Sequence, residues 1–351
     1  MTERRGWRDH PLVQLTLVRY REFIREPEAV FWVFIFPVLL TAGLGIAFRN
    51  QAPARTPVVV VEGADARRVA EAVGRSPALI VSTLPDSAAL QALRTGKASL
   101  AILPDTDGAV TYRFDPDRPD ARAARLEADD ALQRAAGRSD PVSSTEQQVR
   151  EPGSRYIDFV VPGLLGLNLM GSGIWGLGFA IVDARKKRLL KRLVATPMSR
   201  AQYLASFLLS RLTLLVLEVG VLLGFAVLVF GVPVRGSPLA VLAVCLLAAL
   251  TFGALGLLIA SRAQTIEGVS GLMNLVMLPM WIFSGVFFSA SRFPDALQPA
   301  IQLLPLTAVN DALRGVLLEG AGLPNLGGEL AILAGWMVLG FVLALRLFRW
   351  R

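Results

Sequence analysis

Four stretches of the chain, residues 29–48, 159–182, 236–261 and 268–291, carry no charged side chain, and each is long enough to cross a ~30 Å hydrocarbon core. Two further apolar stretches are interrupted only sparingly, at 201–231 by Arg211 and Glu218 and at 329–347 by Glu329 and Arg346. With short polar extensions these predict six membrane-spanning helices, at 29–48, 157–183, 201–231, 237–261, 268–289 and 329–347. Pro37 removes a helical hydrogen-bond donor inside the first of them and predicts a kink there. Ahead of it, residues 1–28 interleave Arg4, Arg5, Arg8, Arg19, Arg21 and Arg25 with Trp7, Leu12, Leu15, Leu17, Val18 and Phe23. That pattern predicts a basic amphipathic helix on the inner membrane surface, broken by Pro27. The 29–48 stretch is too long for the apolar core of a cleaved signal and lacks a small-x-small site after it, so it reads as a retained span.

Residues 49–156 change character. Strands are predicted at 58–61, 79–82, 99–103 and 110–114, and helices at 65–73, 86–93 and 118–136, an alternation that implies a small α/β domain with its own core. Residues 137–153, rich in Ser, Gln and Pro, read as a linker back to the membrane. Between 290 and 328, Pro294, Pro299, Pro305 and Pro324 surround two short, moderately apolar helical stretches, which predicts an outer loop with short helices.

The polar loop at 184–200 orients the whole arrangement. Six of the eight residues from Arg185 to Arg192 are Lys or Arg, and a run of that kind between spans stays on the cytoplasmic side. With both termini inside, the cytoplasmic segments hold 17 Lys/Arg, whereas the short outer segments near the membrane hold Arg49, Arg235, Arg292 and Arg314. The α/β domain then falls outside. Within the same loop Leu189, Leu190, Leu193 and Val194 recur at helical spacing opposite a basic face, which predicts a short amphipathic helix able to dock onto a partner.

Charge bounds the remaining possibilities. The chain of 351 residues has a net charge of +8, yet residues 51–155 are nearly neutral, with 14 basic and 15 acidic side chains. The excess belongs to the membrane part, so positive-inside loops explain it and nucleic-acid binding does not. One cysteine, Cys245, lies in an apolar span, and the one histidine, His10, precedes the first. No zinc pattern or Cys/His nucleophile can be assembled from these.

Nor does a phosphate loop exist. Thr95-Gly-Lys-Ala-Ser99 lacks both the first glycine and a Ser/Thr directly after the lysine, so ATP energy has to arrive through a partner. Inside the spans, Glu218 lies seven residues after Arg211, nearly two turns, so both project from one face about 10 Å apart. Two readings of Glu218 stand: a pathway or proton-coupled group, or a structural polar contact between helices. Asn168, Ser172, Gly176 and Ala180 repeat every four residues along the second span, a face suited to helix packing, a subunit interface or the lining of a substrate path. Asp311 and Arg314 are spaced for a local ion pair. Asp115, Asp117, Asp120, Asp129 and Asp130 alternate with Arg113, Arg118, Arg122 and Arg125, the pattern of a solvated mixed-charge surface rather than a cation site.

Three segments together resemble the permease subunits of type-2 ATP-binding-cassette (ABC) exporters: Arg25-Glu-Pro-Glu-Ala-Val-Phe-Trp-Val-Phe-Ile-Phe-Pro37, Leu189-Leu-Lys-Arg-Leu-Val-Ala-Thr-Pro-Met-Ser-Arg200 and Pro279-Met-Trp-Ile-Phe-Ser-Gly-Val-Phe-Phe-Ser289, the last continuing through Phe293-Pro294, Leu304-Pro305 and Leu313-Arg-Gly315. The likeness covers roughly 10–50 and 155–350, and a large domain between the first two spans is typical of one branch of that family. One departure is that Lys187, Arg188 and Leu189 stand where many members have an acidic residue followed by Gly-Thr.

The resemblance implies a half-transporter whose short outer helices at 290–328 are re-entrant. Its partners would be an ABC ATP-binding subunit, a second permease copy (itself or a close paralogue), the lipid bilayer and, for the outer domain, a periplasmic or outer-envelope component. ATPase docking would fall to a coupling helix carrying Arg185, Arg188, Leu189, Leu190, Arg192, Leu193 and Val194 and ending at Pro197. ATP and magnesium would bind on the partner, with no cofactor on this chain. The substrate would be a drug, lipid, glycan or ion, moved across a bacterial cytoplasmic membrane. The expected fold is thus membrane α-helical, with six transmembrane helices, cytoplasmic termini and an inserted extracytoplasmic α/β domain. A membrane-anchored assembly or sensory protein, binding a ligand or envelope partner without transport, is the alternative.

Overall fold

The computed structural model describes residues 11–49, 55–105, 109–139, 153–186, 200–262 and 265–347. The chain divides into two compact units, Met1–Arg49 with Val149–Arg351, and Asn50–Gln148.

The first unit is helical and holds six helices long and apolar enough to cross a membrane: Pro27–Phe48, Tyr156–Val182, Leu209–Phe230, Pro238–Ala260, Ile266–Phe283 and Leu323–Leu347. Helix α1 (Pro11–Ile24) precedes them. The chain restarts as helix at Pro27, where a missing N–H costs nothing because first-turn donors have no intrahelical acceptor.

Pro37 disturbs the first span one turn earlier than its own position, through a π-helical segment at Phe31–Ile35. In an α-helix the residue-37 N–H would donate to the Val33 carbonyl. Proline cannot, and the Asn168 side-chain amide donates to that oxygen instead, at 3.1 Å. Thr41 Oγ1 donates to the Pro37 carbonyl at 2.7 Å. A broken backbone bond is thereby repaired from the second span.

The helices Tyr156–Lys186 and Arg200–Phe230 each run 31 residues, about 46 Å at 1.5 Å per residue. Both therefore continue past a ~30 Å core, toward residues 187–199. The fourth span, Pro238–Ala260, is capped by Ser237 accepting from the Leu239 N–H. It packs mainly on the second and sixth spans, burying Val244, Ala248 and Phe252 against Leu165, Leu169 and Ile174 in one continuous core. Such all-round apolarity is what a helix surrounded by others requires.

The fifth span ends at Phe283, short of the 289 expected from apolarity alone. Gly285 takes a left-handed conformation (φ 69°) that stops the helix. Its carbonyl accepts from the Arg314 guanidinium. Asp295–Gln302 and Pro305–Glu319 follow as a pair bent by 84°, a broken span or re-entrant loop by its geometry. The second member comprises α2 (Pro305–Arg314) and a π-helical turn, Gly315–Glu319, terminated by Gly320 at φ 72°. Every residue from Pro305 to Leu313 except Asp311 is buried, so this segment is core despite its moderate apolarity.

The second unit is a four-stranded sheet of β1 (Thr56–Val61), β2 (Leu79–Leu84), β3 (Leu100–Pro104) and β4 (Val110–Arg113), in the order β2-β1-β3-β4. β1 pairs in parallel with β2 and β3, and β4 runs antiparallel to β3. Alternation along β1 sorts the layers. Val58 and Val60 face the helices Ala66–Val73 and Pro119–Ala135, with Leu100 and Ile102, whereas Val59 and Val61 face Ala89 and Ala92 of the helix Asp86–Arg94. Burial on both faces is why this strand is an unbroken run of valines.

Around that core the charges pair on the surface. Arg113 lies 2.7 Å from Asp86, Arg134 2.7 Å from Asp130, and Arg138 also reaches Asp130. Hydrogen bonds from Arg118 and then Ser99 hold the Asp120 carboxyl below its ordinary pKa. Burial, followed by the hydrogen bond to Asp129, raises the Tyr112 phenol above its ordinary range.

Candidate functional site

The docking helix falls almost wholly outside the described residues: Arg188, Leu189, Leu190, Arg192, Leu193, Val194 and Pro197 lie there, and Arg185 is placed only as part of the helix Tyr156–Lys186. What the structure describes are the two helices on either side, and between them lies a buried polar clasp.

Glu218 is 1 % exposed. Arg211 Nη1 donates to its Oε1 at 3.2 Å, spanning the two turns between them on the third span. Ser172, from the second span, closes the ring: its Oγ accepts from Arg211 Nη2 at 2.6 Å and donates to Glu218 Oε2 at 3.1 Å. The Leu169 carbonyl also lies 3.4 Å from that hydroxyl. A serine has one proton to give, and the shorter, charge-assisted bond to the carboxylate is the stronger. Arg211 keeps a quarter of its side chain accessible while the carboxylate has none. An ion pair in an apolar interior offsets its desolvation cost only with satisfied geometry of this kind.

Of the four-residue repeat on the second span, Asn168 and Ser172 are engaged, with the first and third spans respectively. Gly176 has open space beside it, and Ala180 is half-buried. Close backbone approach happens on different glycines. A Cβ on Gly163 would lie 2.7 Å from the Val286 carbonyl oxygen, and one on Gly173 2.7 Å from Phe252 Cβ. The two polar members of the repeat thus hydrogen-bond to neighbouring spans.

Two arginines at the opposite end of the second span have a larger part than their spacing announces. Arg155 pairs with the fully buried Asp158 at 2.8 Å, and Asp158 also accepts from the Gly153 and Arg155 backbone N–H groups. The same guanidinium donates to the Phe230 and Gly231 carbonyls at 2.8 and 3.0 Å, capping the third span's C-terminus with positive charge. Hydrogen bonding to Asp158 holds the Arg155 pKa above its ordinary value. Arg314, 3.4 Å from Asp311, also stacks its guanidinium 3.8 Å from the centre of the Phe159 ring. The sequence signal for the first was an Arg and Asp three residues apart where an apolar span begins. The partner carbonyls left no signal at all.

Among the described residues no group of three or more His, Cys, Asp or Glu side chains is placed to hold a metal, and Cys245 is buried. Arg211, Glu218 and Ser172 form a hydrogen-bonded ring that joins the second and third spans.

Residues 28–346 match the family described as ABC-2 family transporter protein. The chain belongs to that family. It is a permease subunit with spans separated by a large non-membrane region, a multi-pass membrane protein. Among curated relatives it is similar to nodulation protein J of Bradyrhizobium diazoefficiens, 28 % identical over 205 residues, 58 % of this chain and 77 % of that one. The linearmycin resistance permease protein LnrN of Bacillus subtilis is 28 % identical over 174 residues, 50 % of this chain and 45 % of that one. The inner membrane transport permease YadH of Escherichia coli is 26 % identical over 163 residues, 46 % of this chain and 63 % of that one. In the last two cases the match covers less than two thirds of the relative's own length.

Proposed function

We propose that this ABC-2 permease subunit is the membrane half of an exporter, moving a drug, lipid, glycan or ion out of the cytoplasm or inner leaflet of a bacterial inner membrane. A separate ATPase subunit, carrying the ATP and magnesium, docks on the helix at 185–196. A second permease copy completes the pathway, and both termini lie in the cytoplasm. The inserted unit stands on the outer side, where an envelope component is its natural partner.

The observation that carries this reading is the position of the basic loop. It joins two helices of 31 residues that both outrun the hydrocarbon core. A push on it is therefore delivered to two rigid levers. The names of LnrN and YadH, a resistance permease and a transport permease, point the same way.

Co-purification tests the docking. Leu190→Asp with Leu193→Asp places two charges on the apolar face and is expected to abolish recovery of the ATPase with tagged permease, at unchanged permease yield. An ATPase that stays bound overturns the assignment. If none accompanies even the parent protein, the assembly or sensory reading takes its place. Reporter fusions test orientation: those at Asp120 report the outer side and those at Lys187 the cytoplasm, and the reverse pattern refutes the topology.

A further inference from the structure

We infer that Ser172 is a positioning residue for energy coupling: its hydroxyl ties the second and third spans so that the two helices flanking residues 187–199 move as one body. This rests on the docking role proposed above for 185–196.

The ion pair of the clasp is internal to one helix, since Arg211 and Glu218 both belong to the third span. It would hold that helix's charges whether or not the second span were present. Within the ring it is Ser172 that carries the link across, through the 2.6 and 3.1 Å bonds that close it. It stands 16 residues from Tyr156 and 14 from Lys186, about 24 and 21 Å along the axis, near mid-membrane.

A second tie sits at the far end, where Arg155 holds the Phe230 and Gly231 carbonyls. Two ties ~25 Å apart resist both sliding and rotation. Apolar packing between the two forms a small cluster beside the Arg155 tie, Ile157 and Val161 with Ala226 and Phe230; otherwise the second span lies mainly against the fourth, and the third mainly against α1. A displacement of the third span alone by one turn, ~5.4 Å, would strip the hydroxyl from both charged groups and leave each a hydrogen bond short in an apolar layer, where an unmade polar contact is expensive. Moving both helices together costs none of this.

Spin labels at Gly176→Cys and Val221→Cys read the tie. Both positions are exposed, and a Cβ on Gly176 meets nothing within 4 Å. The native Cys245 is buried. The permease–ATPase complex in nanodiscs is compared without nucleotide and after trapping with ATP and vanadate. The parent is expected to show one narrow separation, the same in both states. Ser172→Ala keeps the Arg211–Glu218 pair. It is expected to retain the ATPase and hydrolysis, while the separation broadens and shifts on trapping by up to the ~5.4 Å of one turn. Ser172→Thr restores the hydroxyl and the parent behaviour. Arg211→Leu with Glu218→Leu, which removes both partners of the hydroxyl, reproduces the alanine result if the alanine variant folds poorly. A narrow, unmoved separation in both tie-cutting variants overturns the inference, as does a shift already present in the parent. An ATPase still bound to the Leu190→Asp, Leu193→Asp protein defeats the docking reading instead, and leaves the nucleotide-free comparison of Ser172→Ala with the parent to decide the tie.

Discussion

Glu218→Ala is expected to cost about 3–5 kcal/mol of folded-state stability, because it leaves the Arg211 guanidinium without its counter-charge in an apolar interior. Glu218 is 1 % exposed and bonds both Arg211 and Ser172, so each of those groups loses one hydrogen bond with it. The measurement is thermal unfolding of the detergent-solubilised protein. Removing both charges, as Arg211→Leu with Glu218→Leu, is expected to recover most of the loss, since an apolar pair of similar volume carries no desolvation cost. A single variant that melts like the parent would show that the ring is not formed in solution. A double variant as unstable as the single would assign the loss to packing. Stability and coupling separate here: the leucine pair refolds the bundle yet lacks the tie to Ser172.

Gly163→Ala and Gly236→Ala are expected to destabilise by about 1–3 kcal/mol each through overpacking. The new methyl would meet the carbonyl oxygens of Val286 and Val316, at 2.7 and 2.4 Å. Both oxygens belong to backbone and cannot step aside without moving an element. Gly178→Ala makes a nominally worse overlap, 1.9 Å from Met273 Cε, but the end of a flexible thioether chain rotates away and the change is expected to be mild. Gly171→Ala meets nothing within 4 Å and serves as the neutral control. Unfolding temperatures that rank by distance alone, with Gly178→Ala the worst, would contradict this account.

These two groups of variants mark where sequence reasoning reaches its limit. The spans were legible because a ~30 Å core admits few charges, and so was β1, because four consecutive valines suit a strand covered on both faces. Glu218 and Arg211 stood out for the same reason, as charges in an otherwise apolar run. Their spacing put them on one face without saying what closes the ring. Ser172 is one polar residue among several in the second span. Only the crossing of two helices selects it over Gly176, one turn further on.

The end of the fifth span shows the same division. Apolarity continues to 289, yet the helix stops at Phe283, because Gly285 turns left-handed where Arg314 reaches its carbonyl. The Pro37 disturbance was visible as a missing N–H, but the repair of the Val33 carbonyl by Asn168 comes from 135 residues away. Sequence settled what local chemistry and the solvent govern: which segments are long and apolar enough to cross a membrane, that a mixed strand-and-helix unit is inserted between the first two, and which loop is basic. The tertiary structure decided which buried polar groups find one another. That depends on the packing of helices distant in the chain, and a hydrogen bond needs partners placed to within a few tenths of an ångström.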